Sequence, residues 1–350
     1  LNNSLFAIVS LTLFLLSTVF VRAFCTLASR YGLLDLPNAR STHREKVPRG
    51  GGVVFVLLWL IGLILSHRWQ WISARELFVF LPSVAAISLL GFWDDCRSLP
   101  ASVRFYIQMG IAVVTLYGVG DLSSFHLQHS AFYLGYAGYI LGLLGLVWST
   151  NVFNFMDGLD GFSACEALFV FSIGGLLFWW QGHPEIAGLA WMLTAGVLGF
   201  LMWNWPKAKV FMGDAGSYCL GFSIALFAIV GDSWYQIPIS LWVILYSLFW
   251  FDATVTLIRR FIRKENISTP HLNHAFHRLY RAGYTATQIL TGAIIINAVL
   301  AGATIFLYFN RAWIMYGVIS TIVLLSILYL MIERIYPMAK INIVNAKTDD

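Results

Sequence analysis

The chain has 350 residues, of which 59% are hydrophobic, 16% aromatic and only 11% charged, with a formal net charge of +5; ordinary soluble domains carry about 25% charged residues. A mean hydropathy of +0.75 means more apolar surface than a soluble protein of this size can bury. These figures exclude a disordered chain, a disulfide-stapled secreted domain and a collagen-like fibre, and they point to an all-α, polytopic integral membrane protein.

Taken in chain order, apolar runs predict spans near 4–24, 51–66, 77–93, 103–120, 135–152, 162–180, 186–203, 217–231, 237–257, 287–309 and 312–332. At about 20 residues per helix, roughly eleven transmembrane helices use most of the chain, so 1–350 reads as one transmembrane domain. The first run has no basic residue before it and meets its first charge at Arg22, which predicts a retained anchor with its N-terminus outside. The loops near 25–50, 94–102, 153–161, 204–216 and 258–286, together with the C-terminal tail, then fall on the cytoplasmic side. With Arg22 and Arg104 at their edges, they hold every Lys and Arg of the 22 except Arg68, Arg75 and Arg311. The positive charge is therefore topology, with some capacity for anions, and not a nucleic-acid footprint. Cys25, Cys96, Cys165 and Cys219 lie near the same side, have no zinc spacing, and read as small apolar residues.

The acidic residues are more informative. Asp94 and Asp95 close the third span, Asp157 and Asp160 follow the fifth in NVFNFMDGLDG, and Asp214 precedes the eighth in VFMGDAGS. Carboxylates at a membrane boundary are costly unless paired or metal-bound, so five on one side, each set among glycine and apolar residues, indicate a site. Oxygen ligands of this kind suit Mg2+, with Mn2+ as a substitute, because magnesium takes one or two carboxylates plus substrate phosphates. Arg97, Arg104, Arg259, Arg260 and Arg263 can supply charge-assisted bonds to phosphate. The Gly-rich PRGGG and DGLDG turns allow close approach to a ligand or simply start helices. His271, His274 and His277 recur every three residues, which a helix would place on one face; an amphipathic interfacial segment with incidental histidines is the plainer reading. Asp252, near the end of the ninth span, is expected to cap or to pair with Arg259 or Arg260.

PNARSTHREKVPRGGG, DDCRSLPASVRFYIQ, NVFNFMDGLDG, FMGDAGS and the loop ending in HRLYRAGY, in this order, resemble the polyprenyl-phosphate N-acetylhexosamine-1-phosphate transferase family over nearly the whole chain. The spacing of the histidines and the DLPNARSTH…PRGGG run look closest to its O-antigen and surface-polysaccharide branch, with the peptidoglycan branch as the alternative.

The resemblance implies transfer of a sugar-1-phosphate from a UDP-N-acetylhexosamine to undecaprenyl phosphate, with release of UMP, at a bacterial plasma membrane. It implies Asp214 as magnesium ligand; Asp94 and Asp95 as the paired acids linked to lipid phosphate or metal; and Asn154 and Asp157 around the diphosphate and sugar. Asp160 and Phe211 match uracil contacts, Arg104 a lipid-phosphate contact, and His274, His277 and less securely His271 phosphate or sugar contacts. On that basis Asp94, Asp95, Asp157, His274 and His277 are expected as catalytic, and Asn154, Asp160, Phe211, Arg104 and His271 as substrate-binding. Direct displacement with Asp94 or Asp95 as base is the expected mechanism, and a covalent aspartyl-phosphate the alternative. Relatives imply a homodimer, which nothing in this sequence signals. The competing class is a transporter or flippase for a polyprenyl-linked substrate, but transporters place their ionisable residues near the bilayer midplane, often in repeated halves.

Overall fold

The structure is a computed structural model and describes residues 3–31, 34–35, 46–120, 122, 124–127, 130–266 and 271–338. The chain runs α1 (Asn3–Tyr31), β1 (Leu34–Asp35), β2 (Val47–Pro48), α2 (Gly52–Arg68), α3 (Ala74–Cys96), α4 (Ala101–Val119), β3 (Ser124–Leu127) and β4 (Ser130–Tyr133). It continues through α5 (Tyr136–Met156), α6 (Phe162–Trp180), α7 (Pro184–Asn204), α8 (Asp214–Tyr235), α9 (Ile239–Leu245), α10 (Ser247–Ile262), α11 (Ala275–Arg281), α12 (Ala286–Phe309) and α13 (Ile314–Ile335). Two short antiparallel ribbons, β1–β2 and β3–β4, add to an otherwise helical protein.

Among the described residues, nine helices are long and apolar enough to span a membrane, or ten if the bent α9–α10 pair is one span, against the eleven expected. The second expected span, α2, is apolar but has only 17 residues. The ninth is not straight: α9 and α10 meet at 78° around Tyr246. Neither Pro nor Gly marks this break. Its cost is met by side chains, since the Ser247 hydroxyl donates to the Ile244 carbonyl at 2.7 Å and the Trp250 indole donates to the Val243 carbonyl at 2.7 Å. Backbone groups freed inside a membrane persist only with such partners.

The buried centre is α8. Of its apolar window 94% is buried, against 17% for α1 and 22% for the last span, which face outward. α3 and α5 flank α8, while α6 and α7 pair with each other and α7 carries α1. Small residues permit the close approaches, as membrane helices require: a Cβ on Gly221 of α8 would stand 2.6 Å from the Ser149 carbonyl oxygen of α5. Polar ties cross the apolar interior as well. Ser17 donates to the Gly196 carbonyl at 2.6 Å, the Trp59 indole to the Leu189 carbonyl at 2.8 Å, and the Asn297 amide to Glu166 at 2.6 Å. Helix starts are conventional where they face water: Ser73 with Glu76, and Thr285 with Gln288, form capping boxes.

Candidate active site

The loops singled out in the sequence meet at one end of the bundle. The first contact is backbone on backbone. The Phe211 amide donates to the Pro48 carbonyl at 2.8 Å, Gly50 and Gly51 donate to the Phe211 carbonyl at 3.1 and 2.9 Å, and Gly52 donates to Met212 at 2.8 Å. PRGGG and FMGDAGS are thereby laid side by side. The glycines are required here: a Cβ on Gly52 would stand 2.7 Å from the Gly216 Cα, and Gly213 has a φ of +77°.

This seam carries Arg49 over the carboxylates. Its Nε lies 3.0 Å from Asp95 and its Nη2 3.0 Å from Asp214. Asp95, in the last turn of α3, also accepts the backbone amides of Asp214 at 2.9 Å and Ala215 at 3.1 Å, so it caps the N-terminus of α8. Asp94 is buried beside it and accepts from the Leu99 amide at 2.7 Å, Arg104 at 2.7 Å and the Tyr218 hydroxyl at 3.1 Å. Both oxygens of each member of the DD pair are therefore engaged by the protein's own donors. Arg104, expected on lipid phosphate, is held to Asp94 with part of its side chain still accessible.

Asn154 and Asp157 come from the end of α5. The Asn154 amide donates to Asp214 at 2.8 Å and to Ser217 at 2.9 Å, which fixes the inner edge of the Asp214 carboxylate. Asp157 follows α5 and has a different environment. Desolvation pushes its carboxyl up to about 7, against a hydrogen bond from Ser163, and the charges of Asp214 and Asp95 add to the rise. Asp160 uses one oxygen to accept the backbone amides of Lys207 and Ala208, both at 3.0 Å, and so holds the turn before Phe211, which is half-buried.

The histidines gather without the helix that their spacing suggested. His271 precedes α11, His274 occupies its N-terminal boundary and only His277 is inside it. Their ring centroids are nonetheless 4.8 Å (His271–His274) and 6.2 Å (His274–His277) apart. The segment docks on the DGLDG turn: a Cβ on Gly158 would stand 3.1 Å from His277 Nε2, and Phe276 packs on Phe162 with ring centroids 5.1 Å apart. Burial holds the imidazoles neutral, pushing His271 down to about 4 and His277 to about 3, with His274 also well below its usual value. Asp252 caps α11 rather than pairing with an arginine: its two oxygens accept the Ala275 amide at 3.1 and 2.9 Å. Arg259 instead pairs with Glu333 and Arg260 with Glu265, so these two are not free phosphate clamps. Arg97 and Arg263 are exposed. The PNARSTHRE part of the first motif, 37–45, lies outside the described residues.

Sequence reasoning passed over Arg49 and Tyr218. Arg49 sits in the quoted PRGGG motif, but its bridging role exists only once α3 and α8 are side by side; Tyr218 is one helical turn past Asp214, and that spacing is the only signal it gave. Among the described residues no three His, Cys, Asp or Glu side chains converge as a complete metal cage. The Asp214 carboxylate offers a hard oxygen donor for a magnesium site completed by substrate oxygens, so the donor chemistry fits that ion.

A largely apolar cavity of about 430 Å³ lies between α5, α8 and the bent α9–α10 pair, in the half of the bundle away from the acids, lined by Leu122, Gly138, Gly142, Trp148, Ile224 and Trp242 among others. The same α5 that lines this cavity ends at Asn154 and Asp157.

Buried acids gather at one end of a polytopic helical bundle, an arrangement that fits a membrane-embedded transferase, and residues 77–232 match glycosyl transferase family 4. The chain belongs to this family. It is similar to the probable undecaprenyl-phosphate N-acetylglucosaminyl 1-phosphate transferase of Bacillus subtilis strain 168, with 30% identity over 322 residues spanning 91% of this chain and 88% of that protein. The undecaprenyl-phosphate alpha-N-acetylglucosaminyl 1-phosphate transferases of Salmonella typhi (28% identical, 87% of this chain and 85% of that protein) and Haemophilus influenzae (29% identical, 85% and 88%) are similar over comparable lengths.

Proposed function

We propose that this protein transfers N-acetylglucosamine-1-phosphate from UDP-N-acetylglucosamine to undecaprenyl phosphate, releasing UMP, as the first step of an O-antigen or related cell-envelope polysaccharide. The observation that carries this reading is the convergence of Arg49, Asp95, Asn154, Asp157 and Asp214 at one end of α5, whose other half lines the apolar cavity. The names of its relatives supply the sugar and the lipid. The excess of Lys and Arg supports a cytoplasmic site with the N-terminus outside, in a bacterial plasma membrane. A transporter reading loses its basis, because the acids gather at one end of the bundle and not at its middle.

In this mechanism the polyprenyl chain lies along α5, which delivers its phosphate to Asp157. Asp157, held near neutrality, accepts the acceptor's proton, and a phosphate oxygen attacks the phosphorus nearest the sugar as the bond to UMP breaks. Asp157 is the better base than Asp94 or Asp95, whose oxygens are all engaged by protein donors. Asn154 and Arg49 orient the Asp214 carboxylate, and the neutral histidines donate to or accept from the diphosphate and sugar. Magnesium on Asp214 supplies, when bound, positive charge to the diphosphate oxygens. The remaining work is positioning and electrostatics, as phosphoryl transfer generally demands.

The test is UMP release by purified protein supplied with UDP-N-acetylglucosamine, undecaprenyl phosphate and Mg2+. Release that requires all three, and that falls by about 10³-fold in Asp214→Asn, is expected. Release independent of the lipid, or an Asp214→Asn enzyme with normal turnover and normal metal dependence, rejects the reading.

A further inference from the structure

The last helix, α13, takes no part in the site, yet one carboxylate on it is tied to both helices that carry the histidine segment. Glu333 receives Arg259 of α10 in a two-pronged pair, at 2.6 Å through Nη1 and 2.9 Å through Nη2. It also receives Arg278 Nη1 of α11 at 2.5 Å. The Met338 amide donates to it from beyond the helix at 3.2 Å. Tyr329, one turn earlier on α13, accepts from Arg259 at 3.2 Å and lies 4.6 Å beneath the Arg278 guanidinium. The Arg278 side chain is wholly buried, while that of Glu333 is 24% exposed. A buried guanidinium needs a counter-charge, and among the described residues its ion-pair partner is Glu333.

The linkage continues toward the site. Tyr329 lies 3.4 Å from Thr256, Thr256 donates to Asp252 at 3.1 Å, and Asp252 caps α11 next to His274. Arg278 itself directly follows His277, whose ring packs on the turn holding Asp157. Two routes, one ionic and one through Asp252, therefore fix the same short helix from the same side.

We propose that Glu333 is a positioning residue: by neutralising Arg278 and gripping Arg259, it sets the angle at which His274 and His277 face the DGLDG turn. The kinetic consequence rests on the transferase reading above; the mechanical one does not. Without the carboxylate, α11 keeps the Tyr329 ring contact but loses its ionic anchor to α13, and the histidines meet the UDP-sugar in a broadened range of orientations. Binding suffers more than the chemical step, because Asp157 and the Asp214 cluster are held by α3, α5 and α8.

Three variants test this: Glu333→Gln, which keeps shape and removes charge; Glu333→Asp, which keeps charge; and Arg259→Ala as a comparison that leaves Arg278 paired. Hydrogen–deuterium exchange over 271–281 reads the mechanical part in intact protein. UMP release per folded molecule reads the kinetic part. Glu333→Gln is expected to raise exchange in 271–281 and KM for UDP-N-acetylglucosamine by about tenfold each, with kcat changed less than threefold. Glu333→Asp is expected to restore most of both. A role confined to stability lowers the melting temperature while leaving KM and local exchange at wild-type values, and that result overturns the proposal. If wild-type protein releases no UMP, the transferase reading fails while the exchange measurement still decides whether Glu333 holds α11.

Discussion

Asp95 Oδ1 accepts the backbone amide of Asp214 at 2.9 Å across 119 residues of sequence. The carboxylate that sequence reasoning offers as a base is thus also the cap of the helix bearing the metal candidate. Its second oxygen takes the Ala215 amide, and Arg49 closes the triangle to Asp214. The acids of the site are built as one electrostatic unit whose members hold each other in place, so a change to one is felt at the others.

Arg49→Lys keeps the charge at the head of this unit but not the fork that reaches two carboxylates at once. UMP release is expected to fall on the order of tenfold in Arg49→Lys and further in Arg49→Ala. Steady-state kinetics on the two variants, beside melting temperatures in detergent, check this; equal activity for Lys and Arg at this position counts against the bridge.

Gly91 of α3 packs directly on the backbone of Asp214, and any Cβ there would overlap the Asp214 carbonyl. Gly91→Ala is expected to cost about 1–3 kcal/mol of stability by overpacking and to displace Asp214, abolishing most activity. Gly110→Ala is the control. It has no atom within 4 Å of an added Cβ, and the same chemical change inside a helix is expected to be neutral or to stabilise by about 0.4–1 kcal/mol. Thermal unfolding of both separates steric collision from loss of glycine as such.

Asp157 gives the protein a pH signature. With a folded-state value of about 7 against an ordinary 3.8, its carboxyl keeps a proton that the unfolded chain has released. Its contribution to stability is therefore present below the unfolded value and is lost as pH rises through about 7. As a base it must be ionised, so kcat/KM is expected to rise through the same range, and Asp157→Asn is expected to remove that limb together with most activity. The histidines run the other way. At about 4 for His271 and about 3 for His277, against 6.5 unfolded, they refuse protons that the unfolded chain takes up, and stability falls as pH drops below 6.5. A pH–rate profile whose rising limb vanishes in His277→Gln and survives in Asp157→Asn contradicts this assignment.

Glu166 and Asn297 form a pair inside the apolar interior, both buried and 2.6 Å apart, joining α6 to α12. Replacing either by Ala leaves a buried polar group without its partner and is expected to cost about 1–3 kcal/mol. The double variant is expected to cost less than the sum of the two, with a coupling of about 0.5–2 kcal/mol. Denaturation of the four proteins in detergent closes this cycle, and strict additivity shows that the contact contributes nothing.

Much of the architecture was legible because charge is scarce in this chain. Five aspartates at span ends were conspicuous, and all five lie where the loops converge. What they do individually was not legible. Asp95 and Asp160 spend oxygens on backbone amides from distant loops and Asp94 spends one on the Tyr218 hydroxyl, and no local pattern announces such long-range partners. The bend at Tyr246 was hidden for a related reason: Ser247 and Trp250 repair it with side-chain bonds, so no Pro or Gly was needed. The histidine spacing correctly implied proximity but misplaced its cause, since only His277 is helical and Asp252 draws the segment in. Arg259 and Arg260 looked like phosphate clamps because Glu333 and Glu265 are invisible as partners until the helices pack.

The cap that Asp95 places on α8 also sets an order of events in biogenesis. α3 precedes α8 in the chain, so while Asp94 finds Leu99 and Arg104 at once, Asp95 waits for amides that do not yet exist. When residues 214 and 215 arrive, their amides find the Asp95 carboxylate and a seat among helices already made. The most deeply enclosed helix of the protein is therefore a late guest in a prepared socket, and a nascent chain stopped short of it holds half of the chemistry with nothing to close it.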